Sequence, residues 1–133
     1  MLKLKKIKKE IWDKLSNIAW KNRDNARILG KTKVGAAVLS NTEIFGGCNI
    51  EHQFRSHDIH AEISAISSMI SSGSKKLDVI LVVAEREKFT PCGSCLDWIF
   101  EFGGAECLVG YQTKKEGEIT IFEAKELMPH YPN

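Results

Sequence analysis

Two short motifs constrain this chain more than any other part of it. They are His60-Ala61-Glu62 and, about thirty residues later, Pro91-Cys92-Gly93-Ser94-Cys95. One His and two Cys are ligands that zinc prefers. If the three bind one ion, the fold has to bring two distant segments together. Three protein ligands leave the fourth position of a tetrahedral zinc ion for water, which is typical of a catalytic site.

These residues allow two other interpretations. The three ligands could form part of a structural zinc site, or Cys92 and Cys95 could be a redox pair. A structural site wants a fourth Cys or His, which the spacing does not supply, and it has no use for an unliganded carboxylate such as Glu62. Pro91 and Gly93, together with a His-x-Glu at a separate helix start, favour the catalytic zinc site.

Length and composition predict one ordinary globular domain. The 133 residues, 43% of them hydrophobic and 27% charged, suffice for a single core, so we expect one domain over residues 1–133. No apolar run is long enough to span a membrane, and the start of the chain lacks the pattern of a signal peptide. Four cysteines in such a chain indicate a reducing compartment, and we expect a cytoplasmic protein.

The net charge of +2 offers little attraction for nucleic acid. Lysines do crowd the first ten residues, but apolar residues between them recur every three or four positions, so a solvated helix face is the favoured interpretation. A contact with a phosphate backbone is the alternative.

Periodicity predicts an alternation of helices and strands. Helices are expected at about 2–23, 60–70 and 92–102, with a last helical turn or two at 123–128. Strands are expected at 34–39 and 44–48, forming a hairpin, and then at 77–84, 107–111 and 118–122. Residues 24–33 and 49–58 are expected to be loops. This order predicts an α/β layered domain with one mixed sheet.

The placement of the motifs on these elements suits zinc chemistry. His60 begins one predicted helix, while Cys92 and Cys95 begin the next and share one helix face. Helix N-termini carry partial positive charge, which favours thiolate over thiol. Glu62, two residues past His60, points beside the ligand direction and is therefore the candidate proton shuttle. Cys48 and Cys107 lie in apolar strands and are expected to be core residues.

His-x-Glu followed by Pro-Cys-x-x-Cys is the signature of the zinc-dependent base deaminases, and the whole chain resembles the short cytidine deaminases. Besides the zinc motifs, the resemblance rests on Val34-Gly35-Ala36-Ala37, Gly47-Cys48-Asn49-Ile50-Glu51 and Glu126-Leu127-Met128-Pro129. It implies a three-layer α-β-α fold, with about five strands in one mixed sheet and helices on both faces. It also implies sugar contacts from Asn49 and Glu51, a substrate contact at Ala61, and a homotetramer or homodimer whose sites lie between subunits.

Departures from the family pattern concern the metal site and the substrate. Short cytidine deaminases usually have Cys where His60 stands, Arg where Ile63 stands, and Arg-Gln where Leu96-Asp97 stand. These changes agree with one another. Three thiolate ligands give the zinc centre a negative charge that arginines can offset, and a His ligand in place of one thiolate removes that charge. The family's base-contacting Phe corresponds to Thr32. We expect Phe54 to replace that aromatic contact and Arg55 to meet a phosphate or carboxylate.

The favoured function is zinc-dependent hydrolytic deamination of cytidine or deoxycytidine to uridine or deoxyuridine plus ammonia, with a small nucleoside-type substrate. The main alternative is a modified cytosine nucleoside or a nucleotide, such as a blasticidin-type antibiotic or a cytidylate, suggested by Thr32, His52 and Arg55. Deamination of a base in nucleic acid and a non-catalytic zinc module are the remaining hypotheses, and both fit the sequence less well.

Overall fold

A computed structural model describes residues 7–132 of the chain. Four α-helices, one short 3₁₀ turn and five strands make up the described part. In chain order they are α1 (Lys9–Arg23), β1 (Gly35–Ser40), β2 (Glu43–Cys48), the 3₁₀ turn (Arg55–His57), α2 (Ala61–Ser71), β3 (Val79–Val83), α3 (Gly93–Gly103), β4 (Leu108–Gln112), β5 (Ile119–Glu123) and α4 (Ala124–Leu127).

The five strands form one mixed sheet in the order β2-β1-β3-β4-β5. Strands β3 and β4 pair in parallel, joined by a crossover through α3, and the other neighbours are antiparallel. All five residues of β3 are buried, as a central strand covered on both faces requires. The predicted mixed sheet and hairpin are confirmed.

Helices cover both faces of the sheet. Trp12, Leu15 and Ala19 of α1 pack on one face, against the alternate side chains of β1 and β3 such as Leu39 and Leu81. Helices α2 and α3 cover the other face, where their buried side chains are Ala65, Ile66, Met69, Leu96, Ile99 and Phe100. This is the three-layer arrangement that the family resemblance implied.

Two glycines let the helices lie close to the sheet. A side-chain carbon at Gly35 of β1 would lie 2.0 Å from the Ala19 carbonyl oxygen of α1. One at Gly47 of β2 would lie 2.4 Å from the Ala65 nitrogen of α2. Both contacts are with backbone atoms, so neither can be relieved by moving a side chain.

The bounds of the first helix differ from the prediction. Helix α1 begins at Lys9, and Ile7 and Lys8 precede it in non-helical conformation. Ile7 already packs against the core beneath α1, which fixes the chain before the helix starts. The earlier part of the predicted helix, with Lys3, Lys5 and Lys6, lies outside the described residues. The other elements differ from their predicted ranges by one or two residues at either end.

The end of the chain returns to α3. The Tyr131 ring stacks on Phe100 with centroids 4.1 Å apart, and its hydroxyl donates a hydrogen bond to Asp97. Tyr131 had no predicted role, because nothing in its local sequence points to α3. Across residues 7–132, the helices are too short or too polar to cross a membrane.

Gly35→Ala is expected to lower the free energy of unfolding by about 3 kcal/mol, because the added carbon meets the backbone of α1. Gly93→Ala is the matched control, since a side-chain carbon at this first residue of α3 meets nothing within 4 Å. The control should change stability by less than about 0.5 kcal/mol. Urea denaturation of both variants measures the difference, and equal stabilities would contradict the close approach.

Candidate active site

His60, Cys92 and Cys95 meet at one end of the sheet. The His60 Nδ1 atom lies 3.3 Å from the Cys95 sulfur and 3.4 Å from the Cys92 sulfur, and all three ligand atoms lie within 4.8 Å of one another. Ligands bonded at about 2.0–2.3 Å to one tetrahedral zinc ion stand roughly 3.5 Å apart. The group therefore fits a metal ion with three protein ligands, bound to His60 through Nδ1.

Two helix starts position these ligands. His60 and Cys92 are the residues immediately before α2 and α3, and both have extended backbone conformations. Their carbonyls accept the first hydrogen bonds of the helices, from the Ser64 and Leu96 N–H groups. Cys95 is the third residue of α3, one turn beyond Cys92. Helix α3 follows β3, so the ligands lie at the carboxyl end of a parallel strand, where α/β folds place their sites.

Glu62 lies beside the ligands without belonging to the group. It is the second residue of α2 and only 6% exposed. Burial raises the pKa of the Glu62 carboxyl, with the nearby His60 and Cys95 opposing that shift. A carboxylate whose pKa is raised is a stronger base, which favours the uptake of a proton.

The pKa of the Cys95 thiol is affected by its buried position in the site. Burial, together with the Glu62 carboxylate, raises the pKa of Cys95 well above its usual value. The helix start was predicted to favour the thiolate, but at Cys95 burial outweighs it. A divalent metal ion bound beside this sulfur would favour its thiolate form.

A cavity of about 380 Å³ opens onto the ligands. His60, Glu62 and Cys92 form one part of its lining, and Asn49, Glu51 and Arg55 form another. The remaining lining residues are Thr32, Val34, Asp58, Ile59, Val82, Arg86, Phe89 and Thr90. The structure thus brings three of the five predicted substrate contacts to the same cavity as the metal group. Ala61 is buried at the first position of α2 and is not among the lining residues.

Asn49 shapes the cavity wall. Its side chain accepts a hydrogen bond from the Val34 N–H at 2.9 Å and donates one to the Thr32 carbonyl at 3.0 Å. The residue is 8% exposed. The amide therefore fixes the segment that leads into β1, and it keeps one unused donor and one unused acceptor position.

Glu51, Arg55 and Asp58 form an ion-pair network. Arg55 lies 3.2 Å from Glu51 and 2.9 Å from Asp58, and Glu51 also accepts the Leu29 and Gly30 N–H groups. These backbone hydrogen bonds, reinforced by Arg55, hold the pKa of Glu51 below its ordinary value. Asp58 accepts the His52 N–H, which lowers the pKa of Asp58 in the same way. Arg55 is thus paired twice, whereas it was expected to be available to the substrate.

Phe54 and Phe89 differ in their position relative to the cavity. Phe54 is 68% exposed, packs against the rings of His52 and His57, and does not line the cavity. The ring that does line it is Phe89, in the loop between β3 and α3. The sequence held a weak signal for this: Phe89 is the one aromatic residue in an otherwise charged and polar stretch just before the Cys motif.

A three-ligand metal group with a buried, unliganded carboxylate at an open cavity is the arrangement of a metal-dependent hydrolase. The family profile described as cytidine and deoxycytidylate deaminase zinc-binding region matches residues 9–111. The chain belongs to this family of zinc-binding deaminases. The resemblance identified from the sequence motifs is therefore confirmed.

Individual relatives agree with this assignment. A cytidine deaminase of Sporosarcina psychrophila is 34% identical over 120 residues, covering 88% of each chain. The crystal structure of a cytidine deaminase from Burkholderia pseudomallei, 27% identical, superposes with a TM-score of 0.81 and covers 93% of this chain and 98% of that one. A variant cytidine deaminase of Mycobacterium tuberculosis, 23% identical, shares the fold with a TM-score of 0.79, covering 92% and 94%.

The lowered pKa of Glu51 predicts a pH dependence of stability. A carboxylate whose pKa is depressed in the folded state stabilises the fold above its unfolded pKa, and this contribution is lost as the pH falls through the folded pKa. The advantage of the natural chain over Glu51→Gln should be constant well above pH 4.5, the ordinary value, and should shrink below it. Urea denaturation across pH 3–7 measures the difference, about four units being enough to span the transition. A difference that does not change with pH would contradict the network.

Proposed function

We propose that the protein catalyses the hydrolytic deamination of cytidine or deoxycytidine, giving uridine or deoxyuridine and ammonia. The observation that carries the proposal is the convergence of His60, Cys92 and Cys95 beside the buried carboxyl of Glu62, at a cavity of nucleoside size. Membership of the deaminase family and the cytidine deaminase relatives support the same reaction.

The cofactor we propose is Zn²⁺, held by His60, Cys92 and Cys95. Zinc in such a site supplies a water molecule whose pKa is lowered to about 7, and hence a nucleophile at neutral pH. The donor set supports zinc, because thiolate and imidazole are the ligands that zinc prefers over oxygen-binding cations such as Mg²⁺.

Glu62 is the proposed catalytic acid and base. Its carboxylate takes a proton from the water that adds to C4 of cytosine and delivers it to the ring nitrogen N3. It then transfers the proton of the added hydroxyl group to the exocyclic amine, so that the C4–N bond breaks, ammonia leaves and the C4 carbonyl forms. The raised pKa that burial gives Glu62 suits this return of the proton. Because Glu62 lies two residues after His60 on the first turn of α2, it faces the cavity next to the ligands.

Asn49, Glu51 and Ala61 are the proposed substrate-binding residues. Asn49 keeps one donor and one acceptor position after its two bonds to residues 32–34, which suits a sugar hydroxyl. Glu51 is held rigid by the Leu29 and Gly30 N–H groups, so that its carboxylate is preorganised. Ala61 offers a backbone N–H in the first turn of α2, where no partner exists within the helix.

The assembly and the location of the protein stay predictions. A homotetramer or homodimer is supported by exposed apolar side chains on segments 27–31 and 49–59, which are bridged to each other. These side chains are Leu29, Ile50, Phe54 and Ile59. Analytical ultracentrifugation tests the oligomer, and cell fractionation tests the expected cytoplasmic location.

Cys95→Ala is expected to abolish stoichiometric zinc binding, because two remaining protein ligands hold the ion weakly. Cys107→Ala is the matched control, since Cys107 is equally buried but lies outside the ligand group. Zinc content after dialysis, measured by atomic emission, should fall for the first variant and stay near one ion per chain for the second. Equal zinc contents would rule out the ligand assignment.

Glu62→Gln is expected to keep zinc and to lower kcat for cytidine roughly 100- to 10,000-fold, because the amide cannot transfer the proton. Glu101→Gln, on an exposed part of α3, serves as the control and should keep its activity. The assay follows the loss of cytosine absorbance and the release of ammonia by zinc-loaded protein. Turnover retained in Glu62→Gln would eliminate the proposed role of that carboxyl.

A further inference from the structure

The loop between β3 and α3 places two side chains in the cavity that have no role in the reaction described so far. Arg86 and Phe89 both line the cavity, and the Arg86 guanidinium carbon lies 5.4 Å from the centre of the Phe89 ring. The Phe89 ring in turn packs against Tyr111 of β4, with centroids 5.3 Å apart. A guanidinium above an aromatic face is held in place without losing its charge or its hydrogen-bond donors.

Arg86 differs from the other arginine of the cavity in its partners. Arg55 contacts two carboxylates, Glu51 and Asp58, so its charge is already matched within the protein. Within residues 7–132, Arg86 forms no ion pair with a carboxylate, and its neighbour Glu85 pairs with Arg23. Of the two arginines that line the cavity, Arg86 is therefore the one whose charge remains available to a ligand.

The sheet register relates the loop that carries Arg86 to the segment that precedes β1. Val83, at the end of β3, pairs with Gly35, at the start of β1, so the loop after β3 and the segment before β1 leave the sheet at the same end. The segment before β1 carries Thr32 and Val34, which are fixed by the amide of Asn49. Arg86 and the proposed sugar contact Asn49 thus line one cavity at this end of the sheet.

We propose that Arg86, held over Phe89, is a specificity-determining residue that binds an anionic group on the sugar of a cytosine nucleoside. This inference rests on the proposed deaminase function and narrows its substrate class. The shared chemistry is a phosphate or carboxylate accepting two parallel hydrogen bonds from the guanidinium, while the ring of Phe89 forms an apolar wall for the ligand. Arg55, which is paired with Glu51 and Asp58, stabilises the 49–58 loop.

The test compares zinc-loaded protein on cytidine, cytidine 5′-monophosphate and cytidine 5′-carboxylate. The readout is the ratio of kcat/KM for each anionic substrate to kcat/KM for cytidine. Arg86→Ala should lower at least one of these ratios roughly 10- to 100-fold, the usual effect of losing a hydrogen bond to a charged group. Arg86→Lys should recover part of the loss, since it keeps the charge and loses the planar fork.

Lys88→Ala is the matched control, because it removes a positive charge from the same loop outside the cavity lining. It should change the ratio less than about twofold, as an exposed distant charge is screened. A fall only for the monophosphate, or only for the carboxylate, identifies the anion. An unchanged ratio in Arg86→Ala, an equal fall in Lys88→Ala, or a fall confined to Arg55→Ala would overturn the proposal.

A failure of the proposed function would be recognised by a different result. If no compound is converted although zinc is bound, calorimetry on the same proteins measures the binding of cytidine and of the two anions. Tighter binding of an anion that disappears in Arg86→Ala would support the role of Arg86 without the reaction. Absence of binding by all three ligands would overturn both proposals together.

Discussion

The structure depends on the meeting of two helix starts at one end of β3. Parallel pairing of β3 with β4 requires a crossover, and the crossover helix α3 has to begin near the carboxyl end of β3. Helix α2 precedes β3 and runs opposite to it, so its start reaches the same end. His60 and Cys92, the residues before these two helices, then stand 3.4 Å apart at their ligand atoms. The metal group is thus a consequence of topology as much as of side-chain chemistry.

The same geometry buries two acidic groups, Glu62 and Cys95, at the metal site. Glu62 and Cys95 are both buried, and burial raises the pKa of each. Two acidic groups in contact inside a protein oppose each other's ionisation. A bound divalent cation reverses that balance, because it favours thiolate at Cys95. The protein therefore holds its reactive groups in an arrangement that suits the metal-bound form better than the chain alone.

Sequence patterns predicted the layers, the mixed sheet and the metal group, because each follows from local periodicity or from a short motif with its own mechanism. Among the loop side chains, they predicted Asn49, Glu51 and Arg55 at the cavity but not Arg86 and Phe89. Glu51 is fixed by backbone groups twenty-one and twenty-two residues earlier, and this in turn determines the partners of Arg55. Phe54 and Phe89 are both aromatic residues in polar loops, and only the folded chain distinguishes the exposed ring from the one lining the cavity.

Two loops contribute arginine side chains to the cavity. In the 49–58 loop, Arg55 closes an internal network with two carboxylates, and the network is compact and carries a net negative charge. The loop after β3 adds the Arg86 guanidinium and the Phe89 ring to the same cavity, and within residues 7–132 no carboxylate pairs with that guanidinium. A negatively charged group on a substrate is repelled by the first loop and attracted by the second. Substrate choice is then set by the loop after β3, whereas the chemistry is set by the two helix starts.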